Sequence, residues 1–268
     1  MPRRLFEIEC MGRPVTVEVT DNGPVFHGYD PDVEEAARAL GVEGRSFCAL
    51  VQDADKKDLT SMLLAIFYAA LAGGGNIISP ERLEILLDPE RIEILLALGA
   101  DANRRGSQHL SSLAIAVREG RLDLAKLMLE YGAEPSQDAM SQAIFNCDLE
   151  AAEMLVEHGV LDQWPELPSE FLMQASQFGC SDLVRFFIDN LDDVNRNSVK
   201  DADYLTAVFT GPDQTDAAQV IRILLDEIDF PKGEVVRAYE DTYFQGHEGV
   251  TRVFEEYICS QLTDDEDE

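Results

Sequence analysis

Two hydrophobic periods divide the chain. Between residues 5 and 29 apolar and polar positions alternate: Phe6, Ile8 and Cys10 against Glu7 and Glu9, then Val15, Val17 and Val19 against Thr16 and Glu18. Alternation places every second side chain on one face, the signature of a half-buried strand. Asp21-Asn22-Gly23 is a turn signal ahead of Val25-Phe26, so this stretch predicts a hairpin or three-stranded antiparallel meander. A sheet this small needs a cover. A helix starting near Asp30-Pro31, with Ala36, Ala37 and Leu40 inward, is the expected one.

From about residue 55 the period becomes helical throughout. Ser79-Pro80 and Asp88-Pro89 each read as an N-cap followed by proline at the first helical position. They open a near-duplication, Pro80 to Leu87 and Pro89 to Leu96, and the second copy runs into Gly99-Ala100-Asp101-Ala102-Asn103. Ser111 to Gly120 then reads as a short helix ending at glycine, and Arg121 to Glu134 as a second helix closed by Gly132-Ala133-Glu134. Gly99 and Gly132 lie 33 residues apart.

Two helices, a closing Gly-Ala-acid and a 33-residue period resemble the ankyrin repeat. Later units keep the frame: Leu113 to Gly132, Met140 to Gly159 and Leu172 to Leu191 share one 19-residue spacing. A longer unit from Leu205 to Ile228 carries Gly211-Pro212-Asp213-Gln214 as its insertion, and a last one around Ala238, Gly246, Val250, Val253 and Phe254 closes the series. The family's Thr-Pro-Leu-His is absent; Ser111-Ser112-Leu113-Ala114, Asp138-Ala139-Met140-Ser141 and Glu170-Phe171-Leu172-Met173 stand in its place. A helical-hairpin solenoid of another family would have almost the same architecture. The expected fold is therefore mainly α: a small β-meander and helix cap over residues 1–54, an ankyrin-like helical-repeat solenoid over 55–262 and an acidic tail over 263–268.

Ankyrin-like arrays bind protein partners at the tips between units and along the concave face. Carried over by position, that resemblance nominates Arg104, Arg105, Asp138, Asp162, Trp164, Glu166, Asp192, Asp193, Asp201, Asp203 and Tyr204 as partner-binding residues. Trp164, the single tryptophan, either folds onto a core edge or stands out as an aromatic anchor of the kind that dominates interfaces. Tyr204 is a weaker candidate of the same sort.

Charge narrows the partner. The chain of 268 residues holds 52 Asp+Glu against 21 Lys+Arg, a net charge of −31. Direct nucleic-acid binding and adsorption to anionic membranes both rest on the opposite balance. With 46% hydrophobic residues the chain still has the material for a core. The last 68 residues carry 18 acids and 4 bases and end in Asp264-Asp265-Glu266-Asp267-Glu268. Arg104-Arg105 is the one basic tip.

Catalytic chemistry finds no signature. There is no Gly-x-Ser-x-Gly, and Gly73-Gly74-Gly75-Asn76 lacks the Lys-Ser/Thr of a phosphate loop. His247-Glu248 has no second histidine one turn on. Asp53, Asp55 and Asp58 read as an acidic helix start rather than a calcium loop. His158 precedes a closing glycine, where a helix C-terminus favours it. Cys10, Cys48, Cys147, Cys180 and Cys259 form no Cys-x-x-Cys pair, so reduced core thiols are expected. The longest apolar run, Met62 to Gly75, is too short to span a bilayer. These features lead us to expect a cytoplasmic, non-enzymatic protein without cofactor or metal, its oligomeric state open.

Two explanations of the acidity stay side by side. One is an acidic face that sequesters, chaperones or inhibits a basic protein, in one version by mimicking nucleic acid towards a nucleic-acid-binding partner. The other is a generic scaffold whose charge is solvation or salt adaptation, which sixteen Arg against five Lys would also suit.

Overall fold

A computed structural model describes residues 4–10, 13–21, 23–28, 47–52, 54–71, 84–85, 87–105, 110–163, 167–210 and 216–264. The helix expected at Asp30-Pro31, the first copy of the near-duplication, the Gly73-Gly74-Gly75 turn and the Gly211 insertion lie mostly or wholly outside them. Among the described residues there are three strands and fifteen α-helices. The chain forms two compact units, Met1–Ala139 and Met140–Glu268.

The first unit begins with the meander: β1 (Arg4–Cys10), β2 (Arg13–Thr20) and β3 (Gly23–His27), antiparallel in that order. Phe6 pairs with Val17 and Ile8 with Val15, so all four bury on the face that the alternation predicts. Thr20 pairs with Gly23 where β2 gives way to β3, and Gly23 sits at φ +109°, a conformation that a side chain would strain. The described covers of this sheet are α1 (Phe47–Gln52), packed on β3, and α3 (Pro89–Ala97), packed on β1.

Arg91 locks these parts together. Its Nη2 donates to the Glu9 carbonyl at 2.5 Å, Nε lies 3.7 Å from Asp88 Oδ2, and the guanidinium sits 5.4 Å over the Phe47 ring. Burial lowers its pKa, against the nearby charges of Asp88 and Glu9. Asp88 is the N-cap residue of α3, with Pro89 following, but its carboxylate engages Arg91 instead of capping the helix.

Helix α2 (Lys56–Leu71) starts at Asp55, whose Oδ1 accepts from the Asp58 amide at 2.8 Å; the acidic pair is a helix start. It packs on α3 and on α4 (Ser112–Arg118), and α4 on α5 (Leu122–Glu130). Ser111 caps α4 through the Ala114 amide at 3.1 Å, and Gly120 at φ +68° turns the chain into α5.

Helix α6 (Gln137–Phe145) runs from the end of the first unit into the second. The second unit then continues with α7 (Leu149–Glu157), α8 (Val160–Gln163), α9 (Leu167–Phe178) and α10 (Ser181–Asp189). After these come α11 (Asp193–Ser198), α12 (Ala202–Thr206) with a 3₁₀ turn at Ala207–Phe209, α13 (Ala217–Glu227), α14 (Lys232–Gln245) and α15 (Glu248–Asp264). Helices α7, α10, α13 and α15 contact one another in that order, while α9 packs on the 3₁₀ turn and α12 on α14. Leu155, Leu183, Phe187, Val220, Leu224 and Phe254 are buried, and Phe187 meets both Phe171 and Phe186.

The cysteines correct the expectation of reduced thiols. Cys147 and Cys180 are joined by a disulfide with Cα atoms 5.3 Å apart, and Cys48 is disulfide-bonded as well. Cys147 lies at φ +51°, in the turn between α6 and α7, where Gly120 and Gly179 occupy the corresponding turns of other helix pairs. The bond thus ties two successive inter-helix turns across 33 residues. Cys259 is free and exposed.

Candidate protein-binding surface

Within the first unit, the basic tip is partly built into the fold. Arg105 Nη2 bonds Asp138 Oδ1 at 3.1 Å, and Asp138 Oδ2 accepts from the Ser111 amide at 3.3 Å. The adjacent Asn103 bridges backbones, donating to the Gly132 carbonyl at 3.1 Å and accepting from the Glu134 amide at 2.7 Å. Asp138 is mostly covered and ties Arg105 to the start of α4. Arg104 is exposed.

The second unit holds the nominated carboxylates. Asp162 is exposed on α8, with its Oδ2 only 3.2 Å from where a Cβ on Gly159 would stand. Gly159 sits at φ +87°, the left-handed conformation that favours glycine at this helix end. Trp164 and Glu166 lie outside the described residues, as does the Asp193 side chain. Asp192 caps α11 by accepting from the Asn195 amide at 2.7 Å, and Asp201 caps α12 through the Asp203 amide at 3.1 Å. These caps fix the direction of both carboxylates, and both residues remain exposed.

Asp201 and Asp203 meet the start of α14. Arg237 lies 3.8 Å from Asp201, 3.6 Å from Asp203 and 3.6 Å from Glu234, and Glu234 Oε2 accepts from the Ala202 amide at 3.2 Å. One guanidinium therefore serves three carboxylates and leaves the cluster net negative. Tyr204 is half-buried beneath it. Burial raises its pKa, a hydrogen bond with Ser169 opposes that, and the Glu170 and Asp201 charges add to the rise. The hydrogen bond with Ser169 ties α12 to the start of α9.

The remaining described arginines of this unit are largely structural or paired. Arg196 donates to the Ile188 and Glu227 carbonyls at 3.1 Å each, finishing α10 and α13. Arg185 faces Glu227 at 3.6 Å, and Arg222 faces Glu256 at 3.0 Å. The second unit contains 29 Asp+Glu against 7 Lys+Arg, a net −22 out of the chain's −31.

One surface escapes sequence reasoning. On α14, Val235, Ala238 and Thr242 face the core, which turns Val236, Tyr239 and Tyr243 along an outer edge, with Phe244 beside them. Val236 is 43% exposed, Tyr243 61% and Phe244 84%. The Tyr243 ring centroid lies 6.2 Å from Tyr239 and 6.1 Å from Phe244, and the Tyr239 hydroxyl bonds Glu255 at 3.3 Å. The signal was present as an apolar residue on each side of the core phase, but periodicity alone does not say which phase is inward.

Among the described residues, no group of three or more His, Cys, Asp and Glu side chains could hold a metal ion. A cleft of about 200 Å³ between Phe209, Ala217 and His247 is smaller than the roughly 300–1,000 Å³ of small-molecule sites. There His247 stacks on Phe209 at 4.4 Å. His158 bonds the Met154 carbonyl at 2.7 Å, closing α7. No described helix is long and apolar enough to cross a membrane. No protein-family model matches the chain, and no curated protein matches it either.

Proposed function

We propose that the chain is a divergent ankyrin-like repeat protein that binds a basic protein without catalysing a reaction, and so sequesters, chaperones or inhibits it. The observation that carries this reading is the carboxylate cluster of Asp201, Asp203 and Glu234 around Arg237, in a unit of net charge −22. Fixed carboxylates with too few cations make a surface whose field attracts a cationic partner and speeds its encounter. The succession α7, α10, α13, α15, with α10 paired to α9 and α15 to α14, supports the repeat reading, because stacked hairpins give such tips a regular spacing. Carboxylates held in fixed directions also suit mimicry of phosphates towards a nucleic-acid-binding partner.

Fluorescence anisotropy with an arginine-rich peptide tests the proposal. The full chain should bind it at low salt and release it as salt rises, since exposed charges are screened within about 10 Å at 0.1 M salt. Asp201→Asn with Asp203→Asn should weaken binding several-fold. Absence of binding at low salt, together with a fold that circular dichroism shows collapsing when salt is removed, would instead mark the acidity as salt adaptation.

A further inference from the structure

We infer that the outer edge of the terminal hairpin α14–α15 is a docking site for a basic amphipathic helix of the partner protein. This inference rests on the proposed binding of a basic protein and assigns it a second, apolar contact. In a stacked-hairpin protein the terminal unit needs a polar outer face to stay soluble. Here an apolar stripe interrupts that polar face: Val236, Tyr239 and Tyr243 recur at helical spacing, and Phe244 projects beside them. From Val236 to Tyr243 the stripe is about 10 Å long, two turns of helix, which fits a facing helix with two or three apolar side chains.

The rim states what kind of helix. Glu240, Asp241 and Glu255 are exposed around the stripe, and Glu255 is held by the Tyr239 hydroxyl. Tyr and Phe faces attract guanidinium and ammonium groups, and the flanking carboxylates do the same, so Lys and Arg beside an apolar face are recognised twice. A second copy of this chain would bring two units of −22 together, and the tail from Asp264 to Glu268 carries the same sign. Both are repelled where a cationic helix is drawn in.

Anisotropy with two labelled peptides of identical composition decides the matter, one an amphipathic Lys/Arg-Leu helix and the other a scramble without an apolar face. The full-length wild type should bind the amphipathic peptide at least tenfold more tightly. Tyr243→Ser with Phe244→Ser, or Phe244→Ser alone at a site that is 84% exposed, should reduce that preference towards the scramble's level. Asp201→Asn with Asp203→Asn should weaken both peptides alike. Equal affinity for the two peptides, with the aspartate variant still weakening both, overturns the docking site and leaves the acidic surface standing. Binding of neither peptide removes both readings. Self-association in sedimentation that Tyr243→Ser with Phe244→Ser abolishes would assign the stripe to a homodimer and overturn the inference.

Discussion

The two units solve the same problem of excess negative charge in opposite ways. Within Met1–Ala139, with 23 acids and 14 bases, several described arginines are drawn into the structure. Arg4 bonds Glu93 and the Tyr131 hydroxyl, Arg91 holds the Glu9 carbonyl, and Arg121 joins Asp123 to the Leu87 carbonyl at 3.0 Å. In Met140–Glu268 the few cations cannot match the acids, and the surplus stays on the surface. Charge in the first unit is architecture. In the second it is available, and the folded state must hold against its own repulsion through apolar packing and a covalent tie.

Several variants would break or sharpen that contrast. Phe187→Ala empties a fully buried site between Phe171 and Phe186, and should cost about 3–5 kcal/mol in denaturant unfolding. The loss should look worst at low salt, where repulsion is unscreened. Replacing Cys147 and Cys180 together by serine opens a 33-residue loop and should cost about 3–4 kcal/mol. In the first unit, Arg91→Ala strips the Glu9 carbonyl and Asp88 of their shared partner, and about 2–3 kcal/mol is expected, nearly independent of salt because the guanidinium is buried. A steep salt dependence for Arg91→Ala would erase the distinction between the units.

Smaller effects follow. Ser111→Ala removes the α4 cap and should cost about 1 kcal/mol. Asp123 is held below the ordinary carboxylate range chiefly by its hydrogen bond from Arg121, against a burial effect of opposite sign. A carboxyl whose folded pKa is depressed lends stability above its unfolded pKa and loses it as pH falls through the folded one. The Asp123 contribution should therefore fade only in acid. In Arg121→Met an NMR titration should find the Asp123 carboxyl back near its usual range.

Much of the fold was legible because period is set by which face must be buried. Phe6, Ile8, Val15 and Val17 alternate and do pair on one buried face, and the closing glycines at 99, 132 and 159 all take positive φ at helix ends. The sheet's described covers, α1 and α3, were not legible, because a contact between Arg91 and the Glu9 carbonyl spans 82 residues and leaves no local trace. The disulfide could have been suspected: Cys147 and Cys180 are 33 residues apart, the same spacing as Gly99 and Gly132, although neither sits in a short-range pair. Of the nominated site, Asp201 and Asp203 converge on Arg237, whereas Asp138 turns inward to Ser111. Both outcomes depend on long-range partners. The α14 stripe stayed hidden since Tyr243 and Phe244 look like core until packing shows Val235, Ala238 and Thr242 facing inward.

Hydrogen–deuterium exchange on the full chain, with and without the basic amphipathic peptide at low salt, tests most directly whether the second unit is the binding one. Added protection should fall on α12, α14 and α15, around Asp201 to Glu255, with the first unit unchanged. Protection centred instead on Arg104 or on the β-meander, or none anywhere at saturating peptide, would contradict it.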